Sequence, residues 1–164
     1  MIGIFKQKAS TNGFLLFVYA LVLKFPILLH PYLPSMRPGD NYLYRFILTG
    51  LESLCGHAAL PFAILSFILL FSQATLLNSI CNYHKILSRA TYLPGMCYLL
   101  ITSLLPDWGH FSAPLLVNSI IIWCWYRMIA LYNSPSPVAS IFNIGLFLGL
   151  ATLLYMPAIT FLLL

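Results

Sequence analysis

The sequence predicts an all-α protein: a polytopic bundle of transmembrane helices with about five spans, the start of a sixth, and a short interfacial helix after the first span. Three observations predict it. Hydrophobic residues make up 61% of the chain and charged residues only 7%, against roughly a quarter charged in soluble domains. Eight Lys and Arg with three Asp and Glu cannot cover the large surface of a soluble fold of this size, so the apolar excess calls for lipid as its solvent. The apolar residues also come in long runs broken by short polar turns, the pattern of successive spans. Abundant Leu, Ile and Phe exclude a disordered chain.

Residues 1–12 form a polar head carrying Lys6 and Lys8. No small-x-small cleavage site closes the apolar run that follows, so it reads as an uncleaved first span rather than a signal peptide. That span covers residues 14–32, which at 1.5 Å per residue reach about 28 Å. Lys24 interrupts it. A lysine at mid-depth costs about 3 kcal/mol on insertion scales, so it must snorkel, face a polar cavity or meet a partner. Pro26 is expected to bend the helix.

Residues 33–57 are the most polar stretch, with a turn marked by Pro34, Pro38 and Gly39. Residues 42–54 then read as the short interfacial helix. Tyr44, Leu48 and Leu51 form its apolar face, and Arg45, Thr49 and Glu52 lie on or beside the other. Residues 58–81 are the second span, interrupted near its start by Pro61 and made more polar at its far end by Gln73 and Asn78. Residues 82–91 form a loop with His84, Lys85 and Arg89.

Residues 92–106 are a third apolar segment holding Pro94 and Gly95. It is short, and a full crossing requires the helix to run from Ser88 to Trp108; a re-entrant segment is the alternative. After the polar, aromatic turn Pro106–Gly109, residues 112–131 form the fourth span. It ends in Trp123, Trp125, Tyr126 and Arg127, an aromatic and cationic anchor suited to an interface. Residues 138–155 are the fifth span. Met156 and Pro157 break it, and Ala158–Leu164 begin the sixth run. A last helix that stops half built predicts that residues 1–164 are a single transmembrane domain, the N-terminal portion of a longer protein.

Charge predicts the orientation. With the N-terminus in the cytoplasm, Lys6, Lys8, Lys85, Arg89 and Arg127 fall inside and Arg37 and Arg45 outside, as the positive-inside tendency requires. Asp40, Glu52 and Asp107 then all face out. The scattered basic residues form no patch for nucleic acid. Cys55, Cys81, Cys97 and Cys124 have no metal-ligand spacing, so no metal site is expected and most of the cysteines read as small buried hydrophobes.

The outer face collects the groups suited to chemistry. Asp40 lies between Arg37 and Arg45, and Glu52, His57, Asp107, His110 and His30 fall on the same side. Asp40 and Glu52 are the candidate catalytic carboxylates, a carboxylate at an interface being able to accept a proton from a sugar hydroxyl or to hold a divalent ion. Arg37 and Arg45, with Lys24 and Asp107, are the candidate substrate-binding residues, the guanidinium groups being suited to a diphosphate. The alternative is a solvated loop in which Asp40 pairs locally. Gly145 and Gly149, four apart, read as a helix-packing pair, and Gln73, Asn78, Asn118 and Asn143 as interhelical hydrogen-bond partners. The sequence has no Walker loop, zinc-protease motif or serine elbow, and no evident internal repeat.

The segments Met1–Phe5, Lys24–Pro26, His30–Pro31, Tyr98–Trp108, Ser112–Asn118 and Ile141–Gly145 together resemble the N-terminal part of an uncharacterised family of polytopic inner-membrane proteins from Bacteroidota. The resemblance covers nearly the whole chain. It implies a bacterial inner-membrane location and several further helices, and it brings no assigned catalytic residues. A looser likeness, of topology alone, is to membrane enzymes that place an acid in the first external loop and use lipid-linked sugars. Three functions follow as expectations: an enzyme on lipid-linked glycan precursors at the outer face, a non-catalytic subunit or scaffold bound to other membrane proteins, and, third, a transporter. The lipid bilayer is the partner common to all three.

Overall fold

The computed structural model describes residues 10–56, 58–87, 91–131 and 137–163. Lys6, Lys8, His57, Arg89 and the turn at 133–136 lie outside the described residues. The described residues are all-α: α1 (Ser10–Leu29), α2 (Tyr42–Cys55), α3 (Leu60–Tyr83), α4 (Leu93–Leu104), α5 (Ala113–Ala130) and α6 (Pro137–Leu154), with 3-10 segments at Pro106–Gly109 and Met156–Leu163.

Prolines set the starts of these helices. Pro61, Pro94 and Pro114 are each the second residue of a helix, and Pro137 opens α6. The first turn of a helix has no carbonyl partner for its N–H groups, so a residue without one fits there. Pro61 therefore begins a helix that the sequence reading had it interrupt. Pro26 is different: it sits inside α1, and the helix carries on past it to Leu29, with the His30 amide bonding the Pro26 carbonyl at 3.1 Å.

Three helices, α3, α5 and α6, are long and apolar enough to cross a membrane. Much of their apolar surface is open: only 17% of the spanning stretch of α6 is buried within the chain. The apolar part of α1, Gly13–Leu29, and the helix α4 are shorter. The expected third span thus shrinks to twelve residues, about 18 Å of helix against about 30 Å of hydrocarbon. The physical reason lies at its ends. Pro94 has no N–H to bond upstream and its ring crowds the preceding turn, so Thr91 and Tyr92 stay outside the helix. At the other end, Leu105 is extended before Pro106, as a residue preceding proline prefers. The expected start of a sixth span is instead a 3-10 segment.

The chain divides into two compact units. The first joins Met1–Tyr32 with Ala59–Phe111, and the second joins Leu33–Ala58 with Ser112–Leu164. In the first, Leu16 and Ala20 of α1, Ala74 of α3 and Leu99 of α4 are completely buried. Phe17 meets Phe67 and Phe71 edge-on, at 5.9 and 5.4 Å between ring centres. Gly95 permits the close approach of α4: a β-carbon there would lie 3.1 Å from the Ala74 carbonyl oxygen and 3.3 Å from Leu16. The Tyr98 hydroxyl donates to Gln73 Oε1 at 2.5 Å, so the two polar side chains satisfy one another between α3 and α4.

In the second unit α5 packs along α6, with Trp123 against Phe147 at 4.4 Å. The Arg127 guanidinium lies over the Trp123 ring at 5.7 Å and in the last turn of α5, where a cation also meets the negative end of the helix dipole. The helix α2 lays its Tyr44 and Leu48 face inward, both buried, and leaves Arg45 and Thr49 exposed. These four follow the face division read from the sequence, whereas Leu51 and Glu52, read as lying on different faces, are both half-buried.

Candidate functional site

The polar loop before α2 is built on a tight turn. In Arg37–Pro38–Gly39–Asp40 the Asp40 amide donates to the Arg37 carbonyl at 3.1 Å. Proline in the second place and glycine in the third, at φ +105°, are the residues of a type II turn, whose third position is left-handed. The Arg37 amide donates back to Asp40 Oδ2 at 2.8 Å. One carboxylate oxygen of Asp40 thus closes the turn. The other, Oδ1, is buried with no hydrogen-bond partner.

The loop is pinned to the end of α6. The Met156 amide donates to the Gly39 carbonyl at 2.9 Å, and the Asn41 amide to the Leu154 carbonyl at 3.1 Å. Asn41 then caps α2, its side-chain oxygen accepting from the Tyr42 amide at 2.8 Å, while its Nδ2 donates to the Thr152 carbonyl. This framework fixes Asp40 just ahead of the positive end of the α2 dipole, where a carboxylate is stabilised.

Tyr44 is the centre of the group. It is fully buried, and its phenol feels the charges of Asp40, Arg37 and Glu52. Burial first, and then the Asp40 carboxylate, push the phenol up to about 12; Glu52 acts in the same sense and Arg37 against it. Asp40, Arg37 and Glu52, all singled out in the sequence, therefore lie within electrostatic reach of one buried phenol, whereas Arg45 is exposed on the outer face of α2.

Lys24 and Asp107 belong to the first unit. Asp107 is exposed in the 3-10 turn after α4. Lys24 is 1% exposed, and its ammonium donates to the Thr102 carbonyl at 2.7 Å. That carbonyl is among the last four of α4, which lack partners within the helix and carry its negative dipole end. Lys24 therefore caps α4 from another helix. Ile27, Ala63, Ser66, Phe67 and Leu70 close around it and leave no room for a water molecule.

No protein-family model matches this chain, and no curated protein or solved structure matches it either. Any function must therefore be argued from the chain's own groups.

The glycines divide in a way the sequence does not show. Nothing lies within 4 Å of where a β-carbon would stand on Gly145 or Gly149, so their shared face is open within the described residues. A tight contact between helices is instead at Gly95, which follows a proline and has no partner glycine four residues away. Among the described residues no three His, Cys, Asp or Glu side chains are grouped to hold a metal ion. Sequence reasoning also missed the phenol of Tyr44, which it placed only as part of an apolar face. The available signal was a hydroxyl at a core position of an amphipathic helix with acids at 40 and 52.

Proposed function

We propose that the chain is a multi-pass protein of a bacterial inner membrane that acts on a lipid-linked glycan precursor at the outer face. One observation carries this reading: Asp40, Arg37 and Glu52 all act electrostatically on the buried Tyr44 phenol of an amphipathic helix, and Asp40 is tied to Arg37 by the turn. Asp40, with Glu52 as the second carboxylate, accepts the proton of a sugar hydroxyl, and Arg37 and Arg45 hold the phosphates. The exposed rings of Tyr42 and Phe46 beside them suit the lipid boundary. The cytoplasmic N-terminus rests on Lys6, Lys8, Lys85 and Arg89 flanking α1 and α3 on one side against Arg37 and Arg45 on the other. If α4 does not cross, Arg127 moves to the outer side and the bias narrows to four basic residues against three. The inner-membrane location also draws on the likeness to the Bacteroidota family.

The test is surface-glycan synthesis in cells whose only copy carries Asp40→Asn, with the protein in the membrane quantified alongside. An asparagine oxygen can still accept from the Arg37 amide, so the turn is kept and the charge removed. Loss of glycan at normal protein level is expected. Normal synthesis overturns the reading.

A second reading, a non-catalytic subunit, is favoured by the open face at Gly145 and Gly149, which would admit a helix of a partner. It requires stable co-purification with that partner and indifference to Asp40→Asn.

A further inference from the structure

The charges of the second unit are set apart. Asp40 is tied, through the Asn41 amide on the Leu154 carbonyl, to the end of α6. Arg127 lies in the last turn of α5, just before the chain turns back to begin α6. It is the only charged side chain from Ser112 to Leu164. Every Asp and Glu of the chain is among the described residues, and among these Arg127 has no ion-pair or hydrogen-bond partner. The residues between α5 and α6 contain no acid in sequence either.

Long side chains on a helix point back over the preceding turn. Arg127 does so: its guanidinium rests 5.7 Å from the centre of the Trp123 ring. Trp123 is held in turn by Phe147 of α6, at 4.4 Å between ring centres, so the platform is fixed. The ring takes one face of the guanidinium, and the side chain is otherwise exposed. Neither neighbour cancels the charge. A ring quadrupole carries no net charge, and the helix end supplies about half a negative one.

The surroundings set the depth of this cation. Trp125 and Tyr126 beside it are 55% and 38% exposed, on a helix long and apolar enough to cross a membrane. Exposed indole and phenol rings at the end of a span gather at the head-group level. The guanidinium shares that level, where lipid phosphates stand and where a cation without a counter-ion is costly.

We propose that Arg127, on its Trp123 platform, binds the phosphate of an anionic phospholipid. The planar guanidinium offers paired N–H donors to two phosphate oxygens. Trp125 and Tyr126 pack against the glycerol region of the same lipid. Phosphatidylcholine carries its own cation beside its phosphate, whereas phosphatidylglycerol leaves the negative charge to the protein. The exposed rings favour a lipid over a free phosphate, which has nothing apolar to set against them. The proposal rests on α5 lying in a membrane and not on the reaction assigned to Asp40.

The test places the full chain in nanodiscs of phosphatidylcholine with a minority of phosphatidylglycerol, and counts the lipids retained on the released protein by native mass spectrometry. Phosphatidylglycerol should be enriched on the wild type. Arg127→Gln should lower that enrichment about fivefold. Glutamine is a good helix former and the lost side chain touches only the Trp123 ring, so the thermal midpoint should stay within a few degrees. Lys85→Gln, which removes an exposed cation of the first unit, should leave the enrichment near the wild-type value. An equal fall in the two variants, or none in Arg127→Gln, overturns the proposal. So does displacement of the lipid by millimolar glycerol phosphate, which would assign the site to a free anion. A measurement on the wild type stands apart from the variants: phosphatidylglycerol with a photoreactive head group should label the segment Trp123–Leu131, and labelling confined to other segments overturns the proposal. Failure of the chain to enter the discs removes the membrane reading as well; loss of the lipid preference alone removes only this one.

Discussion

The Lys24 ammonium donates to the carbonyl of Thr102 at 2.7 Å, across 78 residues of sequence. A cation that reads as an obstacle in an apolar run is the C-terminal cap of another helix. It stabilises α4 where Pro106 has ended it, by meeting an orphan carbonyl and the negative end of the dipole.

Lys24→Ala removes the donor and leaves a void in a closed region, so it should destabilise the protein by about 2–4 kcal/mol. Lys24→Met keeps the stem. It orphans the carbonyl but also removes a desolvated charge, and these effects oppose, so the net change should be within about 1 kcal/mol. Thermal unfolding in detergent measures both. An unchanged midpoint for Lys24→Ala would place the ammonium elsewhere, for example on a lipid phosphate.

Gly95→Ala should cost about 1–3 kcal/mol, because the new methyl meets the Ala74 carbonyl oxygen at 3.1 Å and backbone cannot yield cheaply. Gly145→Ala and Gly149→Ala should be neutral or stabilising by up to about 1 kcal/mol, since their β-carbons meet nothing within 4 Å and alanine is the better helix former. Denaturation midpoints of the three variants, compared in one detergent, check the ordering.

Gly39→Ala should destabilise the loop by about 1–3 kcal/mol. Its φ of +105° disfavours a side chain, and Tyr155 stands 3.2 Å from the new carbon. Limited proteolysis around residues 37–41 reads the effect: faster cleavage is expected, and an unchanged rate would argue against the type II turn.

Tyr44 predicts a pH dependence. Its phenol is raised from 10.0 to about 12 in the folded protein, so the fold favours the protonated form. The associated stability is fully present below pH 10 and is lost as pH rises from 10 to 12. Tyr44→Phe removes the titrating group. Wild type should therefore lose unfolding temperature through that window more steeply than Tyr44→Phe; parallel profiles would show that the phenol is not held from water.

The sequence by itself determined the class: long apolar runs with few charges read as helices, three of which are long and apolar enough to cross a membrane. Pro38–Gly39 and the alternation around Tyr44, Leu48 and Arg45 were enough to foretell the turn and the amphipathic α2. Tertiary structure decided the rest: Lys24 on Thr102, Tyr44 buried within the fields of Asp40, Arg37 and Glu52, Gly95 rather than Gly145 or Gly149 at a tight contact, and α4 as a twelve-residue helix. The reason is physical. Helices apolar on every side, as α3 and α6 are, carry no periodic mark of the face that meets a neighbour, so their pairing is set by side-chain shape and by the need of each buried polar group for a partner.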